Sequence, residues 1–258
     1  MDINELTMRC VKKRASDLHL TENEPPIYRI DGKLHRHEAI SLTRDAIKKM
    51  IYGVLTDTQK EMFERDLELD FSLALPNLDR FRVNIHMQKG SVEGAFRRIP
   101  LEIPNIETLG LPPVVLDLAR QPNGLVLVTG PTGVGKTTSL ASVINLINNE
   151  RECLLITIED PIEFIYTNKK AIIKQREVYA DTHSFSEALR HCLRQDPNVI
   201  VVGEMRDLDT ISTTLTAAET GHLVLATLHT PDAPQTIGRI IDVFPPHQQQ
   251  QVRLQLAD

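Results

Sequence analysis

The spacing of apolar positions changes character part-way along this 258-residue chain. In the first hundred residues, short alternating runs mix with helical stretches. Met1 to Arg14 is expected to form a helix. Ile27-Tyr28-Arg29-Ile30 and Lys33-Leu34-His35-Arg36 flank Asp31-Gly32, a pair that favours a tight hairpin turn. Two helices are expected around Thr43 to Val54 and Thr56 to Arg65. Leu69 to Leu75, Arg80 to Gln88 and Ser91 to Ile99 read as strands of an antiparallel sheet. Arg80, Arg82 and Asn84 alternate with Phe81, Val83 and Ile85, which predicts a polar, arginine-bearing sheet face. Pro100, Pro104, Pro112 and Pro113 punctuate the next stretch. From about Val114, strands alternate with helices, the sign of a mostly parallel sheet. The expected organisation is an α+β domain over 1–99, a linker over 100–113 and an α/β domain over 114–258.

One segment of the second pattern carries chemistry by itself. Gly130-Pro131-Thr132-Gly133-Val134-Gly135-Lys136-Thr137 fits G-x-x-x-x-G-K-[ST], the loop that cradles nucleotide phosphates. Its glycines let successive backbone N–H groups point at anionic oxygens. Lys136 supplies a positive charge for the β- and γ-phosphates, and the Thr137 hydroxyl is a ligand for Mg²⁺. Thr138 extends the cradle. The apolar run Leu125 to Val128 before the loop predicts a buried strand. Leu140, Val143, Ile144 and Ile147 after it predict a helix whose N-terminus faces the phosphates. Strand, glycine loop and helix in this order predict binding of a nucleoside triphosphate.

Three further apolar runs end in polar residues, and ligands of α/β sheets bind beyond the carboxyl ends of strands. Leu154 to Ile158 runs into Glu159-Asp160-Pro161-Ile162-Glu163. Val199 to Val202 runs into Gly203-Glu204, resembling a Walker B strand with Gly203 where a metal-associated Asp usually stands. A carboxylate at Glu204 would hold a metal-bound water or polarise the attacking one. Leu223 to Leu228 runs into His229, a candidate sensor of the γ-phosphate. His222 lies seven residues earlier, on the opposite strand face, so the pair makes a poor metal site; a structural role for His222 is as good a reading as a ligand role. His35 and His37 read as residues of an exposed hairpin. Ser184 to Arg194 reads as a helix opened by a Ser184/Glu187 capping box. Its Arg190 and Arg194 pair with carboxylates or face a neighbouring subunit, the first being commoner. Arg82 and Arg97 are candidates for arginines delivered to a nucleotide, against simple exposure on a sheet face.

Composition narrows the class. With 41% hydrophobic and 25% charged residues the chain is that of a globular protein. A net charge of −6 gives no general attraction to nucleic acid or anionic lipid. Cys10, Cys153 and Cys192 are scattered, with no C-x-x-C pair, which suits a reducing cytoplasm and disfavours a zinc site. No apolar run approaches the ~20 residues needed to cross a bilayer, and no signal-peptide pattern opens the chain.

The motifs together resemble the secretion ATPase superfamily, and within it the PilT family of type IV pilus retraction ATPases. The resemblance rests on Ala15-Ser16-Asp17-Leu18-His19-Leu20, Pro25-Pro26 and Arg29-Ile30-Asp31-Gly32-Lys33-Leu34 near the start. It continues with the Walker A loop, an "Asp box" from Thr157 through Phe164, the atypical Walker B Gly203-Glu204-Met205-Arg206-Asp207, and a "His box" from Thr220-Gly221-His222 to His229-Thr230. It implies a RecA-like P-loop ATPase core preceded by a small PAS-like α+β N-terminal domain, with ATP and Mg²⁺ as cofactors and a hexameric ring as the assembly. Thr137 and Glu204 would serve the metal. Glu163 matches the Asp-box acid, His222 and His229 the His-box pair, and Arg82 and Arg97 fall where the family places phosphate-contacting arginines. The implied partner is an inner-membrane pilus platform protein, reached from the cytoplasm without insertion into the membrane. Tyr179 stands where the family usually has Gly. The family's C-terminal helices and its Ala-Ile-Arg-Ala-Gly motif would lie beyond Asp258. The implied function is a hydrolytic motor for pilus retraction. A pilus extension or type II secretion ATPase, a non-catalytic regulatory paralogue and a RecA-like nucleic-acid motor are the alternatives.

Overall fold

A computed structural model describes residues 2–36, 41–74, 80–99, 102–131 and 133–257. Thr132, His37, Leu75, Pro100 and Asp258 lie outside them. The chain divides into two compact units, Met1–Leu101 and Glu102–Asp258.

The first unit is an antiparallel sheet with helices on it. Strands β1 (Asp17–Leu20), β2 (Ile27–Ile30), β3 (Lys33–Arg36), β4 (Glu68–Ala74), β5 (Arg80–Gln88) and β6 (Ser91–Ile99) are arranged β3-β2-β1-β6-β5-β4. Helices α1 (Ile3–Lys12), α2 (Arg44–Tyr52) and α3 (Asp57–Asp66) begin at side-chain caps, Asp2, Thr43 and Thr56, each of which accepts a backbone N–H of the first turn. Their apolar sides join Phe81, Val83, Ile85 and Phe96 in one core. Asp31 and Gly32 both have positive φ, as the tight hairpin between β2 and β3 requires. The pattern did not reveal β1. It is an inner strand in which Asp17 is buried beside Leu18, so no polar-apolar alternation marks it.

The polar face of this sheet carries the arginines. Arg82 lies directly opposite Arg97, and Arg97 directly opposite Asp17, which in turn faces Arg29. Arg97 Nε donates to Asp17 Oδ1 at 2.9 Å, and Arg29 Nε stands 3.6 Å from Oδ2. Burial works to raise the Asp17 carboxyl, but the Ser16 hydroxyl and Arg97 outweigh it and hold the group below its ordinary range.

The second unit is a parallel sheet between helices. Strands β7 (Gly124–Thr129), β8 (Leu154–Glu159), β9 (Ile172–Glu177), β10 (Val199–Val202) and β11 (Leu223–Leu228) run in the order β7-β11-β10-β8-β9. Helices α4 (Val114–Arg120) and α5 (Lys136–Glu150) pack with Leu155, Val199, Val201 and Leu225 on one face. Helices α6 (Phe185–Cys192), α7 (Leu208–Glu219), α8 (Ala233–Asp242) and α9 (Pro246–Gln255) surround the other, over Ile156, Ile158, Ile200 and Val224. Within the proline-rich stretch, Ile106 is buried in the α5-side core and Ser142 Oγ donates to the Pro104 carbonyl. The expectation of a buried strand before the glycine loop needs correction. β7 is half-exposed along its whole length, because it forms an edge of the described sheet and pairs only with β11.

Ser184 caps α6 through the Glu187 N–H, and Arg190 pairs with Asp209 at 3.5 Å, the commoner of its two expected fates. Tyr179 has φ 68°, in the left-handed region that favours glycine, and is largely exposed. Left-handed backbone costs a side-chain-bearing residue about 1–2 kcal/mol, part of which glycine's extra unfolded-state entropy cancels. Tyr179→Gly is therefore expected to raise the unfolding free energy by up to ~1 kcal/mol. Denaturant titration checks it, and a clear loss of stability would contradict it.

Candidate functional site

Four adjacent strands deliver the candidate residues to one edge of the parallel sheet. From the outer strand inward, the carboxyl ends of β7, β11, β10 and β8 lead into the glycine loop, His229, Glu204 and the loop bearing Glu163. Their register is level, with Leu127, Ala226, Val202 and Ile158 side by side. Parallel strands about 4.8 Å apart make these positions neighbours, although up to about a hundred residues separate them in the chain.

The glycine loop is built by backbone conformation. Gly130, Gly133 and Gly135 all have positive φ, and a Cβ on Gly130 would come within 2.8 Å of Val134 Cγ1. Gly135 ends the loop at the N-terminus of α5 with no side-chain cap, which leaves first-turn N–H groups free to bind an anion. Lys136 opens the helix and is buried. Its Nζ donates to the carbonyls of Gly130 (2.7 Å) and Pro131 (3.1 Å) and approaches His229 Nδ1 at 3.3 Å. An ammonium only donates, so Nδ1 is the acceptor and the ring proton sits on Nε2. That nitrogen stands 3.4 Å from Glu204 Oε1. Lys136, His229 and Glu204 thus form one continuous polar chain.

Glu204 is held in a stiff turn. Gly203 N–H donates to the Ile158 carbonyl, Met205 N–H to the Thr227 carbonyl, and Thr227 Oγ1 to the Gly203 carbonyl. The turn explains the glycine that replaces the usual Asp. A Cβ on Gly203 would lie 3.0 Å from the Ile158 oxygen and 3.3 Å from Glu159 Cα. Burial favours the protonated form of Glu204. The hydrogen bond from Arg206 (2.7 Å) and the positive field of Arg206, of the His229 N–H edge and of Lys136 prevail and hold its pKa below the ordinary value. Glu204 is an anion at neutral pH.

Glu163 follows β8 on a short loop after the cis Asp160–Pro161 peptide, and is half-buried. Behind it, Glu159 has no cation among the partners it shows in the described residues. It accepts from Thr157 Oγ1 (2.6 Å), Gln175 Nε2 (3.2 Å) and the Glu163 N–H (3.4 Å). Desolvation dominates and raises its pKa, with the charge of Glu163 adding to the rise. A raised carboxyl binds its proton more tightly in the folded state, so stability is lost as pH climbs above the ordinary glutamate value of 4.5. The melting temperature of Glu159→Gln relative to wild type should therefore climb as pH is raised from 5 to 8; a flat difference would refute this.

Not every candidate joins the cluster. His222 precedes β11 while His229 follows it, about 20 Å apart along an extended strand. The expected His-box pair is thus not one site within this chain. Instead His222 Nδ1 lies 2.9 Å from the Ala217 carbonyl and 3.3 Å from Thr220 Oγ1, closing the end of α7. Arg82 and Arg97 belong to the first unit, on the face described above. Arg206 and Glu159 lie inside the Walker B and Asp-box motifs without being marked out by them, and Gln175 and Glu177, on β9, lie in neither.

Among the described residues no group of three or more His, Cys, Asp or Glu side chains is placed to hold a metal ion. A divalent cation here would have to take most of its ligands from the nucleotide. The half-buried Thr137 and the anionic Glu204 are of the right chemistry to complete such a set.

A glycine loop between a parallel strand and a helix, with a buried lysine opening that helix and an ionised glutamate at the end of β10, one strand beyond β11 in the same sheet, defines a phosphate-binding-loop ATPase. Comparison with known proteins agrees over the whole chain. Residues 1–251 match the family model of the type II/IV secretion system protein. The chain is 48% identical over 258 residues to the type IV pilus retraction ATPase PilT of Pseudomonas aeruginosa, covering all of this chain and 75% of that protein. It is 46% identical over 233 residues to a twitching motility protein of Neisseria gonorrhoeae, covering 90% of this chain and 62% of that one. Its fold matches a crystal structure of the pilus retraction motor PilT with bound ADP at a TM-score of 0.95 and 49% identity, over 99% of this chain and 75% of that one. The chain belongs to the type II/IV secretion ATPase family, in its PilT group. The doubly wound core and antiparallel N-terminal unit are the fold expected of that group.

Proposed function

We propose that this protein is the ATP-hydrolysing motor of type IV pilus retraction, withdrawing pilin subunits and so powering twitching motility. The observation that carries the proposal is likeness along the entire chain, in sequence and fold, to proteins named for retraction and twitching. Gly130 to Thr138 hold the triphosphate, with Lys136 on its β- and γ-phosphates. Lys136 must exchange its loop carbonyls for phosphate oxygens, a charge-assisted and stronger bond. Mg²⁺, held by Thr137 and Glu204 with the phosphates, would neutralise charge developing on the nucleotide. Glu204 and Glu163 orient and deprotonate the attacking water, and His229 couples Glu204 to the lysine.

Arg82 and Arg97 supply the remaining positive charge. Two arginines directly opposite each other repel unless an anion lies between or beside them, and Asp17 answers only part of that charge. The functional assembly is a hexameric ring acting on an inner-membrane platform protein from the cytoplasmic side, without nucleic acid. The domain arrangement is a PAS-like unit over the first hundred residues and a RecA-like unit that takes in the proline-rich stretch, whose Ile106 is packed in its core. No helix of the described residues is long and apolar enough to cross a membrane.

Deleting the gene is expected to leave excess surface pili and abolish twitching, read by electron microscopy and by motility under agar. Loss of all pili would overturn retraction in favour of an extension or secretion ATPase.

A further inference from the structure

The loop that carries Glu163 does not hold itself in place. Residues 160–166 form no helix or strand, and four of their backbone groups, on 162, 163, 164 and 166, bond to side chains of β8 and β9 instead. β9 is the outer strand beside β8, with Thr157 opposite Gln175 and Glu159 opposite Glu177. Side chains two apart along a strand share a face, so these four polar residues form one patch. Earlier on the same face stand Leu155, in the core against α5, and Ile173, packed against that core. The face therefore turns from apolar to polar where the loop folds back over the strand ends.

The bonds to this patch fall on both sides of Glu163. Ile162 N–H donates to Glu177 Oε2 at 3.0 Å, and Glu163 N–H to Glu159 Oε2 at 3.4 Å. Gln175 Nε2 donates to the Phe164 carbonyl at 2.7 Å, while its Oε1 accepts the Tyr166 N–H at 3.0 Å. The same Nε2 donates to Glu159 Oε1 at 3.2 Å. Gln175 thus makes three bonds and joins the loop to Glu159. Its amide orientation is set by its partners, since a carbonyl accepts only and a backbone N–H donates only. Glu177 is itself fixed, its backbone N–H donating to Asp181 Oδ2 at 2.8 Å.

We propose that Gln175 is a positioning residue for ATP hydrolysis, clamping the 162–166 backbone so that Glu163 is held at the angle its chemistry needs. The proposal rests on the reading of Glu163 as a hydrolytic residue. The clamp touches neither the glycine loop nor Lys136, so it acts on the chemical step and leaves nucleotide binding alone. A misplacement of about 1 Å at a reacting group can cost on the order of 10²-fold in rate.

Gln175→Glu is the informative change. It keeps the shape, but it replaces the donor to the Phe164 carbonyl and to Glu159 with an acceptor. In the purified protein we expect kcat for ATP to fall about 10-fold or more, with KM for ATP and affinity for a fluorescent ADP changed less than about two-fold. In a Glu163→Gln background, Gln175→Glu should lower the residual rate no further, because the clamp acts through Glu163. If Gln175→Glu folds too poorly to assay, Gln175→Ala removes the same bonds without adding charge and is read by the same outcomes. Turnover within two-fold of wild type would overturn the proposal. So would an equal further loss in the Glu163→Gln background, or a loss of ADP affinity matching the loss of rate. Failure of the underlying reading looks different, since Glu163→Gln alone would then keep wild-type turnover.

Discussion

Lys136→Ala is expected to lower kcat for ATP by ~10²–10³-fold and to weaken nucleotide binding. The ammonium is buried at the start of α5, and its partners among the described residues lie within the site: two loop carbonyls and His229. A charge so placed meets phosphate oxygens with little solvent between them, so its electrostatic contribution is larger than that of a surface lysine. The loop should keep its shape without it, because positive φ at Gly130, Gly133 and Gly135 is a property of the backbone. Phosphate release at saturating ATP and binding of a fluorescent ADP read the two effects separately. A variant turning over as fast as wild type would show that the wild-type protein is no motor, which is the signature of the non-catalytic paralogue.

Glu204→Gln is expected to separate chemistry from binding. General acid–base catalysis contributes ~10²–10⁴-fold, and an amide can accept no proton from water, so kcat should fall by that order while ATP still binds. Folding should be little affected. The partner lost, Arg206, is mostly exposed, and ion pairs of that kind are worth ~0–1 kcal/mol. The pH profile offers a second check. Arg206, His229 and Lys136 hold the Glu204 carboxylate ionised against the effect of burial, so wild-type activity should persist to pH values below the ordinary glutamate range before protonation removes it. Retention of turnover in Glu204→Gln would move the role of base to Glu163 alone.

Much of this was readable along the chain, and the boundary of what was readable follows range. The Asp31-Gly32 hairpin, the helices starting at Thr43 and Thr56, the Ser184 cap and the glycine loop each depend on residues within a few positions of one another. β1 was hidden because its burial comes from neighbours on both sides, and β9 because four of its six residues are polar. The half-exposure of β7 could not be read either, since an apolar run says nothing of whether a sheet continues past it. His222 was grouped with His229 by motif, while their seven-residue spacing already set them apart, and β11 between them puts them at opposite ends of a strand.

The sequence by itself determined that a triphosphate loop sits between a strand and a helix, because turn, glycine and capping preferences act over three or four residues. Tertiary structure decided which strands are neighbours. Placing β11 between β7 and β10 puts His229 against Lys136, 93 residues away, and within 3.4 Å of Glu204. Pairing β9 with β8 lets Gln175 hold the loop of Glu163. Such contacts arise from hydrophobic burial and strand pairing over the whole unit, and no local preference specifies them.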